Sequence, residues 1–135
     1  MVDDGLSADL DAAERWVEGW QSGIEARAAQ ARAMSHRLAE LTGKAYSGDR
    51  SIEVTVDSSG AMTDLQLDER IRKWPAARTG REILAVMRAA QAQVRRDATK
   101  VVAETVGLDS PTGRAVADAF ARLPDAAEGG WDAAS

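Results

Sequence analysis

Two rows of residues, each spaced by seven, run through the first 41 positions. Leu10, Val17, Ile24, Ala31 and Leu38 form one row; Ala13, Trp20, Arg27, Met34 and Leu41 form the other. Only Arg27 interrupts the apolar seam. Alternating steps of three and four keep these side chains on one face of an α-helix for more than four heptads. Ser7 stands where an N-cap is expected. Asp9 and Asp11 follow it, where carboxylates meet the positive end of the helix dipole. A helix from there to about Leu41 would be ~50 Å long. So small a domain cannot cover that length by itself. The seam is therefore expected to pack along a partner helix, with Trp20 in the core and Trp16 flanking it. Gly19 and Gly23 each weaken the helix by about 1 kcal/mol relative to Ala.

The next segment changes period. Gly43 and Gly48 bracket Lys44 to Ser47, a weak edge strand. Ile52, Val54 and Val56 then alternate with Glu53, Thr55 and Asp57, the period of a half-buried strand. Asp57-Ser58-Ser59-Gly60 is a turn. Thr63, Leu65 and Leu67 alternate with Met62, Asp64, Gln66 and Asp68 beyond it. This predicts a hairpin with one apolar and one polar face, which needs a cover on the apolar side. A connection over 69–78 contains Trp74-Pro75, with Trp74 expected to anchor it on the sheet. From Thr79 to about Thr105, Ile83, Met87, Ala90, Val94, Ala98 and Val101 make one apolar helical stripe. Gly107 is a C-cap candidate. Ser110-Pro111 opens a short third helix running to about Leu123. The expected fold class is α+β: a long N-terminal helix, a small antiparallel sheet, a long second helix and a short C-terminal helix. One domain is expected over 1–123, followed by a disordered acidic tail over 124–135, where Trp131 has no evident structural role.

Length and composition fit one domain with a modest core. The chain has 135 residues, and much of its 44% apolar content is Ala, which buries little area. A second copy would supply further burial. There is no Cys, hence no disulfide, thiolate or Cys-ligated metal. The N-terminus is acidic and unlike a signal peptide. No run approaches the roughly 20 apolar residues of a membrane span. The expectation is a soluble cytoplasmic protein with no membrane partner.

Charge is segregated. The chain carries −5 in all, yet residues 70–100 hold nine cations against Glu82 and Asp97, a net +7. Residues 1–42, 43–69 and 101–135 each carry −4. A cationic segment of that size can neutralise phosphates and release their counterions. It can equally solvate a helix whose other face is buried, or pair with the acids of the first helix.

Catalytic chemistry is not expected. His36, the lone histidine, lies two positions past Met34 on the outward face of the first helix. Without Cys or a carboxylate pair it is a poor metal ligand. No phosphate loop or dinucleotide-binding glycine fingerprint is present. Ser58-Ser59-Gly60 is turn chemistry rather than a nucleophile elbow. Asp64, Asp68 and Glu69 read as solvated acids. No cofactor, metal or enzymatic activity is expected.

The run Ile52-Glu53-Val54-Thr55-Val56-Asp57, the Ser/Gly turn, and Thr63-Asp64-Leu65-Gln66-Leu67-Asp68 is similar to the hairpin of the YbaB/EbfC family. Ile83 to Ala92 resembles the start of that family's second helix. The likeness covers roughly residues 41–100, and the first helix by pattern. It implies a homodimer joined through its sheets, with helices projecting, and a nucleoid-associated role in binding duplex DNA with little sequence preference. Carried over by position, the DNA contacts would be Arg88, Arg95, Arg96 and Lys100 of the second helix. Arg27, Arg32 and Arg37 would be those of the first, unless Arg27 is held in the seam. The chain departs from the pattern in having Glu69 where a Pro is usual, an added third helix and acidic ends. Some relatives look like accessories of bacterial secretion systems. The alternative function is accordingly a scaffold of the same fold that binds another protein.

Overall fold

The computed structural model describes residues 3–123. The element order is α1 (Asp3–Ala39), β1 (Gly43–Tyr46), β2 (Ile52–Val56), β3 (Met62–Leu67), a 3-10 turn η1 (Glu69–Lys73), α2 (Ala76–Glu104) and α3 (Pro111–Ala121). This is the expected α+β layout. The expected tail and Trp131 lie outside the described residues.

Two helix starts differ from expectation. α1 begins by Asp3, so Ser7 lies inside the helix and caps nothing. α2 begins at Ala76, three residues ahead of Thr79. Pro75 is in the extended region and its carbonyl accepts from the N–H groups of Arg78 and Thr79. Proline's fixed φ fits this extended N-cap, and its carbonyl takes the first helical bonds, so the helix starts directly after it. The third helix starts as its sequence predicts. Ser110 Oγ accepts from the Gly113 N–H, with Pro111 in the first turn. Gly107, at φ 86°, donates its N–H to the Val102 carbonyl and closes the end of α2.

The sheet is antiparallel in the order β1-β2-β3. In the turn between β2 and β3, Gly60 takes φ 84°, where an L side chain would be strained. The Asp57 carboxylate braces that turn, accepting from Ser59 and Ala61. In the turn between β1 and β2, Asp49 accepts from the Ser51 hydroxyl and N–H and from Ser47. These bonds push its carboxyl down to about 2.

α2 lies over β1 and β2 rather than β3. Ile52, Val54 and Val56 are buried against Val86, Ala90 and Val94, with Ile71, Trp74, Phe120 and Leu123 packed around them. Gly43 permits this approach. A Cβ there would lie 2.1 Å from the Ala90 carbonyl oxygen, a backbone atom that cannot swing aside. Gln91 is buried in the same layer and donates to the Gly60 carbonyl at 2.9 Å, tying helix to turn.

β3 is different. Every residue of it is exposed. Leu65 and Leu67 stand opposite Val54 and Ile52 and so share the apolar face, but α2 does not reach over them. A bulge beside Val56 places Met62 opposite that residue, although simple alternation sets Met62 in the polar row.

A second, smaller core joins the helices. Met34, Val101 and Val102 are buried together, with Leu38, Leu41, Val106 and Val116 against them. The C-terminal third of α1 thus packs on the C-terminal end of α2. Every described side chain from Ser7 to Ser22 is exposed, so the N-terminal half of α1 projects beyond. Trp20 is 57% exposed rather than in a core, and its ring stacks on Trp16 at 6.4 Å between centroids. The seam is continuous in sequence, but the described residues cover only its last part.

Candidate nucleic-acid interface

The cations of the +7 segment divide into two groups. Arg70, Arg72 and Arg78, spread from η1 to the first turn of α2, are used locally. Arg70 donates to the Asp68 carboxylate and to the Asp49 carbonyl, linking η1 to the turn between β1 and β2. Arg72 pairs with Glu69 at 2.8 Å. Arg78 lies over the Trp74 ring, 4.0 Å from its centroid. Asp68 also caps η1, accepting from the Arg70 N–H. These bonds lower its carboxyl from the usual range. The acids Asp68 and Glu69 therefore serve the connection that seats Trp74 against the core.

Of the other cations of α2, Arg96 lies opposite the buried stripe, and Arg81, Arg88 and Arg95 run along one side of it. At 100° per residue, Arg88 and Arg95 fall nearly in line, two turns and about 10 Å apart. Arg81 extends the row by another seven residues. It was not among the second-helix residues the resemblance pointed to, although the heptad spacing of Arg81, Arg88 and Arg95 was already legible. Arg81 and Arg88 are exposed and Arg95 is half-buried. Arg96 and Lys100, both exposed, lie further round the same back. Arg96 donates to the Gln93 amide oxygen at 2.7 Å.

The first-helix residues are not gathered onto this back. Arg37 bonds the Glu104 carboxylate across the α1–α2 junction. That bond holds the Glu104 carboxyl below its usual range, with Lys100 adding to the effect. Arg37 and Lys100 therefore belong to one cluster at the end of α2. Arg88 is twelve residues before Lys100 on the same helix, about 18 Å away. Arg27 is exposed, on the edge of a cleft of about 440 Å³ between α1 and the α2–α3 connection, lined also by Val106 and Pro111. Arg32 is exposed on the outward side of α1. His36 pairs with Glu40 on the solvent side, as its position past Met34 predicts.

Among the described residues no group of three or more potential metal ligands gathers. None of the described helices is long and apolar enough to cross a membrane. What the surface offers is a cationic helix back on one side and an uncovered apolar strand on the other.

Comparison with known proteins matches residues 19–108 to the model of the YbaB/EbfC DNA-binding family. The match begins inside α1 and runs through the sheet and α2 to the turn that follows. No curated protein and no solved structure matches the chain. With two thirds of its length inside that family model, and with the helix–sheet–helix order the family likeness implied, the chain belongs to the YbaB/EbfC DNA-binding family.

Proposed function

We propose that this protein binds duplex DNA as a homodimer with little sequence preference, in the nucleoid. The observation that carries the reading is the α2 back, a row of arginines at two-turn spacing on a helix of a DNA-binding family. Arg88, Arg95, Arg96 and Lys100 supply phosphate contacts from α2. Arg27, Arg32 and Arg37 supply them from α1, with Arg37 first leaving Glu104. Contacts of Arg and Lys to phosphate position a duplex without reading its sequence.

The dimer reading rests on β3. It is an edge strand with free backbone groups, and Met62, Leu65 and Leu67 are 36–46% exposed beside it. A second copy joined there would cover those side chains and satisfy the edge. It would also present each cationic helix twice.

A mobility-shift titration on duplex DNA at two salt concentrations tests this. Affinity should fall steeply with salt. Arg95→Ala with Arg96→Ala should lower the slope of log affinity against log salt by about two for each protomer engaged. A protein that shifts no duplex at low salt would instead be a scaffold of the same fold, with another protein as its partner.

A further inference from the structure

The uncovered half of α1 has a definite chemical character. Leu10, Val17, Trp20 and Ile24 form its apolar stripe, between 41% and 60% exposed. Between Ser7 and Glu25 the charges are Asp9, Asp11, Glu14, Glu18 and Glu25 against Arg15 alone. Asp11, Glu18 and Glu25 recur every seven residues along one flank. The stacked Trp16 and Trp20 rings lie toward the other.

Among the described residues of the same copy, nothing covers this arm. Gly43 sits against Ala90 and Val94, while Met34 sits against Val101 and Val102. Going backwards along α1 therefore means moving toward the end of α2. The cleft with Arg27 on one wall and Val106 on the other lies at that end, and the arm runs past it.

Two such arms are poorly suited to each other. The positions flanking the stripe between Asp9 and Gln30 hold Asp9, Glu14, Trp16, Gln21, Gly23 and Ala28, with no cation among them. Pairing arm with arm brings Asp9 and Glu14 of each copy to the seam, where Arg27 is the one cation.

The molecule carries the complementary surface elsewhere. Arg81, Arg88 and Arg95 repeat every seven residues on the α2 back, matching the period of the three acids. Ala85, Ala89 and Ala92 lie among them and let another helix approach closely. Arginine guanidinium groups also stack on indole rings, as that of Arg78 does on Trp74 here.

We propose that the acidic arm of one copy docks on the α2 back of another, so that copies associate head to tail. The contact is heterologous and leaves an arm and a back free at the two ends, so it builds assemblies beyond a pair. It goes beyond the DNA-binding reading and does not depend on it.

Sedimentation velocity of the full chain, without nucleic acid, at about 0.05 M and about 0.5 M salt tests the proposal. At low salt the sedimentation coefficient should rise with concentration past that of a dimer, and at high salt it should fall back. Reversing the acids (Asp11→Lys, Glu18→Lys, Glu25→Lys) should raise the midpoint concentration about tenfold or more. Reversing the arginines (Arg81→Glu, Arg88→Glu, Arg95→Glu) should do the same, and mixing the two reversed proteins should restore association. Circular dichroism checks that each variant folds. Should the arginine variant fail that check, Trp16→Ala with Trp20→Ala on the exposed arm must abolish the low-salt species by itself. Association that persists in a folded arginine-reversed protein would mean that arms pair with arms and would overturn the proposal. A wild-type chain that stays at a dimer or smaller across the concentration range would also overturn it, leaving the arm for a foreign partner.

Discussion

The two halves of α1 share one sequence pattern and have opposite surroundings. In the second half, Met34 and Leu38, with Leu41 just past the helix end, pack toward α2 and α3, and Met34 is 5% exposed. In the first half, Leu10, Val17, Trp20 and Ile24 keep the same spacing and face outward from the fold. The halves also differ in charge. Acids dominate up to Glu25, whereas Arg27, Arg32 and Arg37 follow. A heptad seam thus states that a helix has an apolar face and leaves open what meets it. Among the described residues there is partner surface for one end of the helix and none for the other.

The contrast predicts unequal costs of truncation. Met34→Ala should cost about 2–5 kcal/mol, because it removes buried atoms and opens a cavity between α1 and α2. Urea denaturation followed by far-ultraviolet circular dichroism would measure it. A loss no greater than that of an exposed residue would erase the distinction between the halves. The Arg37–Glu104 bond is a weaker marker of the same junction. The folded Glu104 carboxyl is held below its ordinary value, so the bond contributes fully above that value. Its contribution is lost as the pH falls through the lowered one. The difference in denaturation midpoint between wild type and Glu104→Gln should therefore be small at neutral pH. It should vanish in acid, and a gap that widens there would reverse the sign. Smallest of all, Trp20→Ala should alter the stability of the dilute protein by no more than about 0.5 kcal/mol, despite deleting the larger side chain. The same denaturation curve read at low protein concentration would check this. A large loss would place Trp20 in an interface already formed at that concentration.

Much of the sheet was legible because strand and turn signals are local. Ile52, Val54 and Val56 alternate and are buried. Asp57 to Gly60 turns, with Gly60 at positive φ. The start of α3 was equally local, since Ser110 and Pro111 do their work within one turn. The starts of the two long helices were less so. Ser7 is a competent cap with a helix already running through it, because a residue that can cap a helix is not obliged to begin one. The bulge at Met62 left no clear trace, since one extra residue in a strand conflicts with no local preference. The candidate site was half legible. The net charge of residues 70–100 is a count, and a count does not tell Arg70, Arg72 and Arg78, around the start of α2, from Arg81, Arg88 and Arg95, spaced along its length. That distinction needs positions.

The chain by itself determined the periods of its elements, the turn chemistry between them, the segregation of charge and the family to which these add up. All of these depend on neighbours within a few residues, or on order along the chain. Tertiary structure alone decided where α2 crosses the sheet, which part of the α1 seam is covered, and that β3 is left open. It also decided that Gly43 is the point of closest approach. Those outcomes depend on contacts between segments about thirty or more residues apart, where apolar faces compete for too little partner surface. Sequence spacing records the faces and not the winners.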